Sequence, residues 1–332
     1  MDALLPMLIN VLIFVALALP GYILVKTKII KSSDSASLSK LLTYVALPFM
    51  IFVGAQNINL SGDFLALAGI TTVAGIVITV GCFFLSKPLA MKRLFNKNSN
   101  NETESEETVT AEKSRGVMRF AMAFSNNGFL GIPLAVAVFS GNAQIQAIVI
   151  ILNIITNLFL YTLGIYLISG DKNMISIKKA LLNPVLIAFV LGIIFNAFGI
   201  AKAVPEVTKY ATHLNNLVTP ISMIILGIKL ADIPLKSLFT SPFAYYVSAI
   251  KLVLVPLIAV LIAVALKTLF NLSNDIIMGF FIGFAMPTAG LASTFADNYS
   301  GDTKNAVIYT LSSTILSVIT IPLLYLLLTA IL

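Results

Sequence analysis

Phe124-Ser125-Asn126-Asn127-Gly128-Phe129-Leu130-Gly131-Ile132-Pro133 is the stretch on which the fold turns. It lies inside an apolar window near residues 116 to 139, yet it carries two amides, two glycines and a proline. Proline removes an amide donor, and glycine in a helix interior costs about 1 kcal/mol relative to alanine. The stretch therefore predicts a membrane helix that breaks near the midplane. Gly283-Phe284-Ala285-Met286-Pro287-Thr288-Ala289-Gly290-Leu291-Ala292-Ser293, in a window near 275 to 297, has the same character. Broken backbone survives in hydrocarbon only where protein or a wet cavity supplies hydrogen-bond partners. Ser125, Asn126, Asn127 and Gly128 at the first break, and Pro287, Thr288, Gly290 and Ser293 at the second, are accordingly candidate substrate-binding residues. If the two broken helices cross, their half-helix N-termini bring roughly half a positive charge each to one place, where an anion is the natural guest. Taken singly, either break reads equally well as a packing kink; their matched positions favour a site.

The rest of the chain supplies the membrane. Of 332 residues, 58% are hydrophobic and 11% charged, which excludes an ordinary water-soluble domain. Apolar runs of about 20 residues match a hydrocarbon core of roughly 30 Å. Ten candidate spans lie near 4 to 25, 38 to 56, 64 to 86, 116 to 139, 144 to 168, 183 to 201, 213 to 231, 241 to 267, 275 to 297 and 304 to 331. The first follows Asp2 rather than a basic segment and lacks a small-residue cleavage site, so it is expected to stay as a span. The polar connector from 87 to 115 is read as a flexible cytoplasmic loop, because its Asn, Ser, Thr and Glu cannot bury apolar surface.

The net charge of +7 is carried by connectors with no aromatic-basic interleaving, which argues against nucleic acid. If the ten windows all span, sixteen Lys and Arg fall on one side and three on the other, with Arg119 and Lys251 inside spans. The basic side is cytoplasmic, which puts both termini outside a multi-pass protein of the plasma membrane. Cys82, alone in an apolar run, is a buried filler.

Internal similarity divides the chain. Leu41-Leu42-Thr43-Tyr44-Val45-Ala46-Leu47-Pro48 resembles Leu214-Asn215-Asn216-Leu217-Val218-Thr219-Pro220, and each is followed by a glycine, Gly54 or Gly227. Pro48 and Pro220 are offset by 172 positions, Gly128 and Gly290 by 162, and Ser140-Gly141 and Ser300-Gly301 by 160. The shrinking offset fits an extra loop in the first half. Residues 1–168 and 169–332 are therefore read as two five-helix repeats, the second inverted because five is odd. The expected fold class is an all-α polytopic membrane protein of ten transmembrane helices, with broken, crossing helices four and nine.

Intramembrane polar residues narrow the chemistry. Asp63, Asp171, Glu206, Asp232, Asp275, Asp297 and Asp302 fall at or beyond span ends, so no buried acid pair serves a cation antiporter. His213 alone makes neither a metal site nor a catalytic triad. No cofactor, metal or catalytic motif is legible, and the chain is not read as an enzyme. Lys251, deep in an apolar run, either meets an anionic substrate, ties down freed carbonyls or snorkels to the interface. Asn153 and Asn157 share a helix face, as hydrogen-bonding glue or as substrate contacts.

With these residues in view, the chain resembles the auxin efflux carrier family, which includes plant auxin exporters and bacterial permeases for malate and similar acids. The likeness is carried by Ser125 to Leu134, by Lys251 with Pro256, by Ala285-Met286-Pro287 with Ala296 and Tyr299-Ser300-Gly301-Asp302, and by Leu311 to Leu323. The resemblance implies two inverted five-helix repeats, a scaffold half that dimerises and a mobile half whose fourth and ninth helices cross at the site. Residue by residue, it implies that Asn126 meets a substrate carboxylate, that Asn153 is a polar site position and that Pro287 is the crossover proline. The plant pattern has proline where Ser125 stands, which leaves the breakpoint in the fourth helix open. The much shorter cytoplasmic loop points away from auxin itself.

The leading expectation is a secondary transporter of small organic anions, malate-like mono- or dicarboxylates, working by alternating access. Its partners are a small organic acid, the lipid bilayer and a second copy of the chain in a homodimer. A sodium-coupled organic-acid symporter of the bile-acid type and a non-transporting receptor for an organic acid are the alternatives.

Overall fold

The computed structural model describes residues 16–56, 58, 60–90, 104–175, 178, 182 and 184–332, with 5, 8, 9, 12 and 13. Most of the first expected span before residue 16, and connector residues 91–103, lie outside the described residues. The principal helices, numbered in chain order, are α1 (Leu19–Lys26), α2 (Ser32–Gln56), α3 (Gly62–Leu89), α4 (Glu104–Ala123), α5 (Asn127–Val138) and α6 (Ala143–Ser169). There follow α7 (Pro184–Ala197), α8 (Pro205–Ala231), α9 (Pro242–Phe270), α10 (Asp275–Ala285), α11 (Ala292–Asn298) and α12 (Thr303–Ile331). Among the described residues α2, α3, α6, α8, α9 and α12 are long and apolar enough to cross a membrane, and α5, α7 and α10 are shorter apolar helices.

The ends of the long helices are fixed by ordinary capping chemistry. Ser61 Oγ accepts from Phe64 N at 3.3 Å, Asn142 Oδ1 from Gln144 N and Ile145 N at 3.1 and 3.0 Å, and Asp302 Oδ1 from Asn305 N at 3.0 Å. Each satisfies donors that a helix N-terminus otherwise leaves free. Gly170 closes α6 in the left-handed region, where a glycine bears no Cβ penalty. Arg115 Nε donates to Ala90 O at 2.7 Å, a cation on the carbonyl end of α3.

One expectation changes here. Helix α4 begins at Glu104, inside the connector expected to be a loop from 87 to 115, and α3 continues to Leu89. Four glutamates with Ala111, Lys113, Arg115 and Met118 fall between 104 and 118, and their helix propensity outweighs the low hydrophobicity that argued for a loop.

Three π-turns precede prolines: Leu42–Ala46 before Pro48, Asn127–Gly131 before Pro133 and Ile250–Leu254 before Pro256. A proline ring displaces the carbonyl four residues back and offers it no donor, and a wider turn relieves the clash.

Packing separates the helices into two groups. In the first, α1 lies against α8, and α7 against α2. The contact of α1 with α8 is at backbone distance: a Cβ on Gly227 would come within 1.8 Å of Ala18 O, and one on Gly21 within 2.1 Å of Ile224 O. Small residues at such crossings let helices associate in lipid, where no hydrophobic drive operates between them. In the second group, α3, α4, α6, α9, α10 and α12 surround the two breaks that separate α4 from α5 and α10 from α11. Val73, Val77 and Phe84 on α3, Val190 on α7 and Leu261 on α9 remain exposed, an apolar coat suited to lipid.

A polar site at two paired helix breaks

The first break follows Ala123, where α4 ends; Phe124, Ser125 and Asn126 leave the helix before α5 begins. The second follows Ala285, where Met286 turns extended and Pro287 denies the helix its next donor. The two segments run antiparallel side by side. Asn126 N donates to Pro287 O at 2.8 Å and Ala289 N donates to Phe124 O at 3.0 Å, a single β-bridge centred on Ser125 and Thr288. Each break thus supplies the partners the other has lost, which is how non-helical backbone persists at this depth.

Side chains complete the accounting. Thr288 Oγ1 donates to Ala121 O at 3.0 Å, and Thr288 N donates to Ser313 Oγ at 3.2 Å. Ser125 Oγ donates to Phe284 O at 3.4 Å and accepts from Lys251 Nζ, which also reaches Phe284 O at 3.5 Å. Lys251 is fully buried and lines no cavity among those described below. Its ammonium sits at the carbonyl end of α10, so of the roles open to it in sequence the geometry matches tying down freed carbonyls.

A ladder of amides runs from the first break into α6. Asn153 Nδ2 donates to Asn127 Oδ1 and Asn127 Nδ2 to Thr156 Oγ1, both at 2.9 Å, and Asn157 Nδ2 donates to Asn153 O at 2.9 Å. Asn153 Oδ1 is buried without a partner among the described residues. Gly128 permits the ladder, since a Cβ there would approach Asn153 Nδ2 to 2.7 Å.

Asn126 differs from its neighbours. Its backbone is held on both sides, by Pro287 O and by Leu130 N and Gly131 N, which donate to its carbonyl at 3.1 and 3.2 Å. Its side-chain amide has no hydrogen-bond partner among the described residues and opens onto two cavities. The smaller cavity is walled by Ser125, Asn127, Gly128, Asn153 and Asn157. The larger lies between the two helix groups, with Ser39 and Thr43 of α2 and Lys229 of α8 facing Gly290, Ser293 and Thr294. A third cleft opens at the other ends of α2 and α8, lined by Gly54 and Asn216 opposite Pro133 and Ala137 of α5.

Of the expected site residues, the structure therefore gathers Ser125, Asn126, Asn127, Gly128, Asn153, Asn157, Gly290 and Ser293 around the first two cavities. Pro287, Thr288 and Lys251 stand behind them as the frame. Sequence reading missed Lys229, which it counted among the cytoplasmic connector charges. Lys229 is half-buried, lines the larger cavity and donates to Ser293 Oγ and, at 3.5 Å, to Thr294 Oγ1. The signal was its setting in Leu226-Gly227-Ile228-Lys229-Leu230-Ala231, inside the seventh apolar window. Among the described residues no three His, Cys, Asp or Glu side chains gather as a metal site.

Apolar helices of spanning length around a polar site define a multi-pass membrane protein. The chain belongs to the membrane transport protein family, which it matches over residues 6–177 and 171–325. It is 27% identical over 319 residues to a protein described as an uncharacterized transporter from Methanothermobacter thermautotrophicus, covering 95% of this chain and 96% of that one. It is also 29% identical over 236 residues to another uncharacterized transporter, from Methanocaldococcus jannaschii, covering 68% of this chain and 70% of the relative. The family agrees with the resemblance drawn from the sequence.

Proposed function

We propose that this transporter is a secondary carrier of small organic anions, malate-like mono- or dicarboxylates, whose carboxylate binds at the paired breaks. The observation that carries the proposal is the Asn126 amide, unpartnered and facing both cavities from backbone that is rigidly bridged. An amide donor beside the free N–H groups that open α5 is suited to a carboxylate and repels none. Transport proceeds by alternating access: one helix group moves against the other, and the clefts at opposite ends of α2 and α8 are the two approaches. The proposal includes ten spans as two inverted repeats, both termini outside the plasma membrane, and a homodimer.

The test is counterflow of labelled malate in proteoliposomes of the purified chain. Asn126→Ala removes a hydrogen bond to a charged group, and the apparent affinity should fall about 10- to 150-fold with folding intact. Exchange should occur with sodium absent from both sides of the membrane, which separates this reading from a sodium-coupled symporter. Binding without exchange would favour a receptor, and unchanged affinity in Asn126→Ala would remove the site from the breaks.

A further inference from the structure

We infer that Lys229 forms a second carboxylate subsite, which makes the larger cavity selective for short dicarboxylates over monocarboxylates. The inference rests on the organic-anion reading above and names the substrate class within it.

Lys229 enters the cavity from α8, while Ser293 and Thr294 enter from α11 in the other helix group. Among the described residues its ammonium has hydroxyl partners and no carboxylate within ion-pair distance. Asp297, one turn further along α11, acts on it electrostatically, but that carboxylate is exposed and accepts from Thr303 Oγ1 at 2.7 Å. A half-buried ammonium with neutral partners has unspent capacity for an anion, and a carboxylate offers it a stronger hydrogen bond than a hydroxyl does.

The cavity suits a substrate with two charged ends. Asn126 and Lys229 both line it: a Cβ on Gly290 would come within 3.6 Å of Asn126 Nδ2, and Lys229 donates to Ser293 Oγ. Gly290 and Ser293 are three residues apart in the chain, Gly290 in the turn before α11 and Ser293 within it. Two groups suited to an anion on the wall of one cavity can take the two carboxylates of one short diacid. Leu42, Phe129 and Leu291 also line the cavity and fit a hydrocarbon link, with the hydroxyls of Ser39, Thr43, Ser222 and Thr310 beside them. A monocarboxylate of the same length would satisfy Asn126 and set a methyl group against the ammonium.

The experiment is competition of unlabelled succinate and butyrate, four-carbon acids with two carboxylates and one, against labelled malate counterflow in proteoliposomes. Lys229→Gln should weaken succinate about 10- to 100-fold and leave butyrate within about threefold, while Lys229→Arg should retain the preference for succinate. Butyrate competition in Lys229→Gln also reports that the variant is folded. Equal weakening of both acids, or a slower rate with both affinities unchanged, would make Lys229 a tether between the helix groups and overturn the subsite. Failure of the wild-type chain to exchange any acid would instead overturn the carrier reading.

Discussion

Lys251 and Lys229 are two intramembrane lysines with opposite tasks. Lys251 is sealed in among Ser125 and Phe284 O, where it holds the carbonyl end of α10. Lys251→Met should take a charged donor away from Ser125 Oγ and Phe284 O, a loss of about 1 to 3 kcal/mol, and lower the melting temperature. Acid affinity in the folded fraction should stay near wild type. A thermal melt with and without malate measures both, and an affinity loss without destabilisation would set the ammonium against substrate instead. Lys251 was conspicuous in the sequence because no other charge lies between Lys236 and Lys267; whether it faced a cavity or a carbonyl depended on Phe284 O, 33 residues away in the chain. Lys229 was overlooked because a lysine two residues from the end of an apolar window reads as a connector charge. Its depth is set by Ser293 and Thr294, which come from a different helix group. Asn126 was legible because an amide next to a glycine and a proline has few other uses in a membrane helix.

At the scale of elements, the breaks themselves were readable to within a few residues, since Pro133, Pro287 and the flanking glycines act locally. Their backbone pairing was not, because a one-residue β-bridge leaves no periodicity in either strand. Nor were the π-turns, which arise from a proline and from the tertiary space available to the widened turn. Pro287→Ala tests the second break. An alanine regains an N–H for Gly283 O, which lets α10 continue and draws Pro287 O and Ala289 N away from Asn126 N and Phe124 O. Counterflow should slow roughly tenfold or more, from about 1 to 2 kcal/mol of lost pairing, in protein that elutes as a folded species. Full-rate exchange by that variant would mean the break does not depend on its proline.

For the whole molecule, the two helix groups meet along the larger cavity, so the relative movement proposed above would change access without dismantling either core. The orientation expected from the basic connectors can be tested across a single helix. Gly141 and Lys172 flank α6 and are both exposed, and the one native cysteine, Cys82, is buried. Cysteines introduced at the two positions should react with an impermeant thiol reagent from opposite faces, Gly141→Cys from outside and Lys172→Cys from the cytoplasm. Labelling of both from one face would dismantle the topology and with it the inverted repeat. The positions of the six helices long enough to span were legible from hydropathy, whereas the grouping of α1 with α8 was not, because Gly21 and Gly227 are 206 positions apart and each alone is an unremarkable glycine. The bridge between the breaks also bears on how such a chain can change over generations. A substitution that heals one break strands a donor in the other, so neither half is free to drift alone. The two bridged segments are bound to a common fate, and a descendant that kept one break and closed the other would inherit an unpaired amide at its centre.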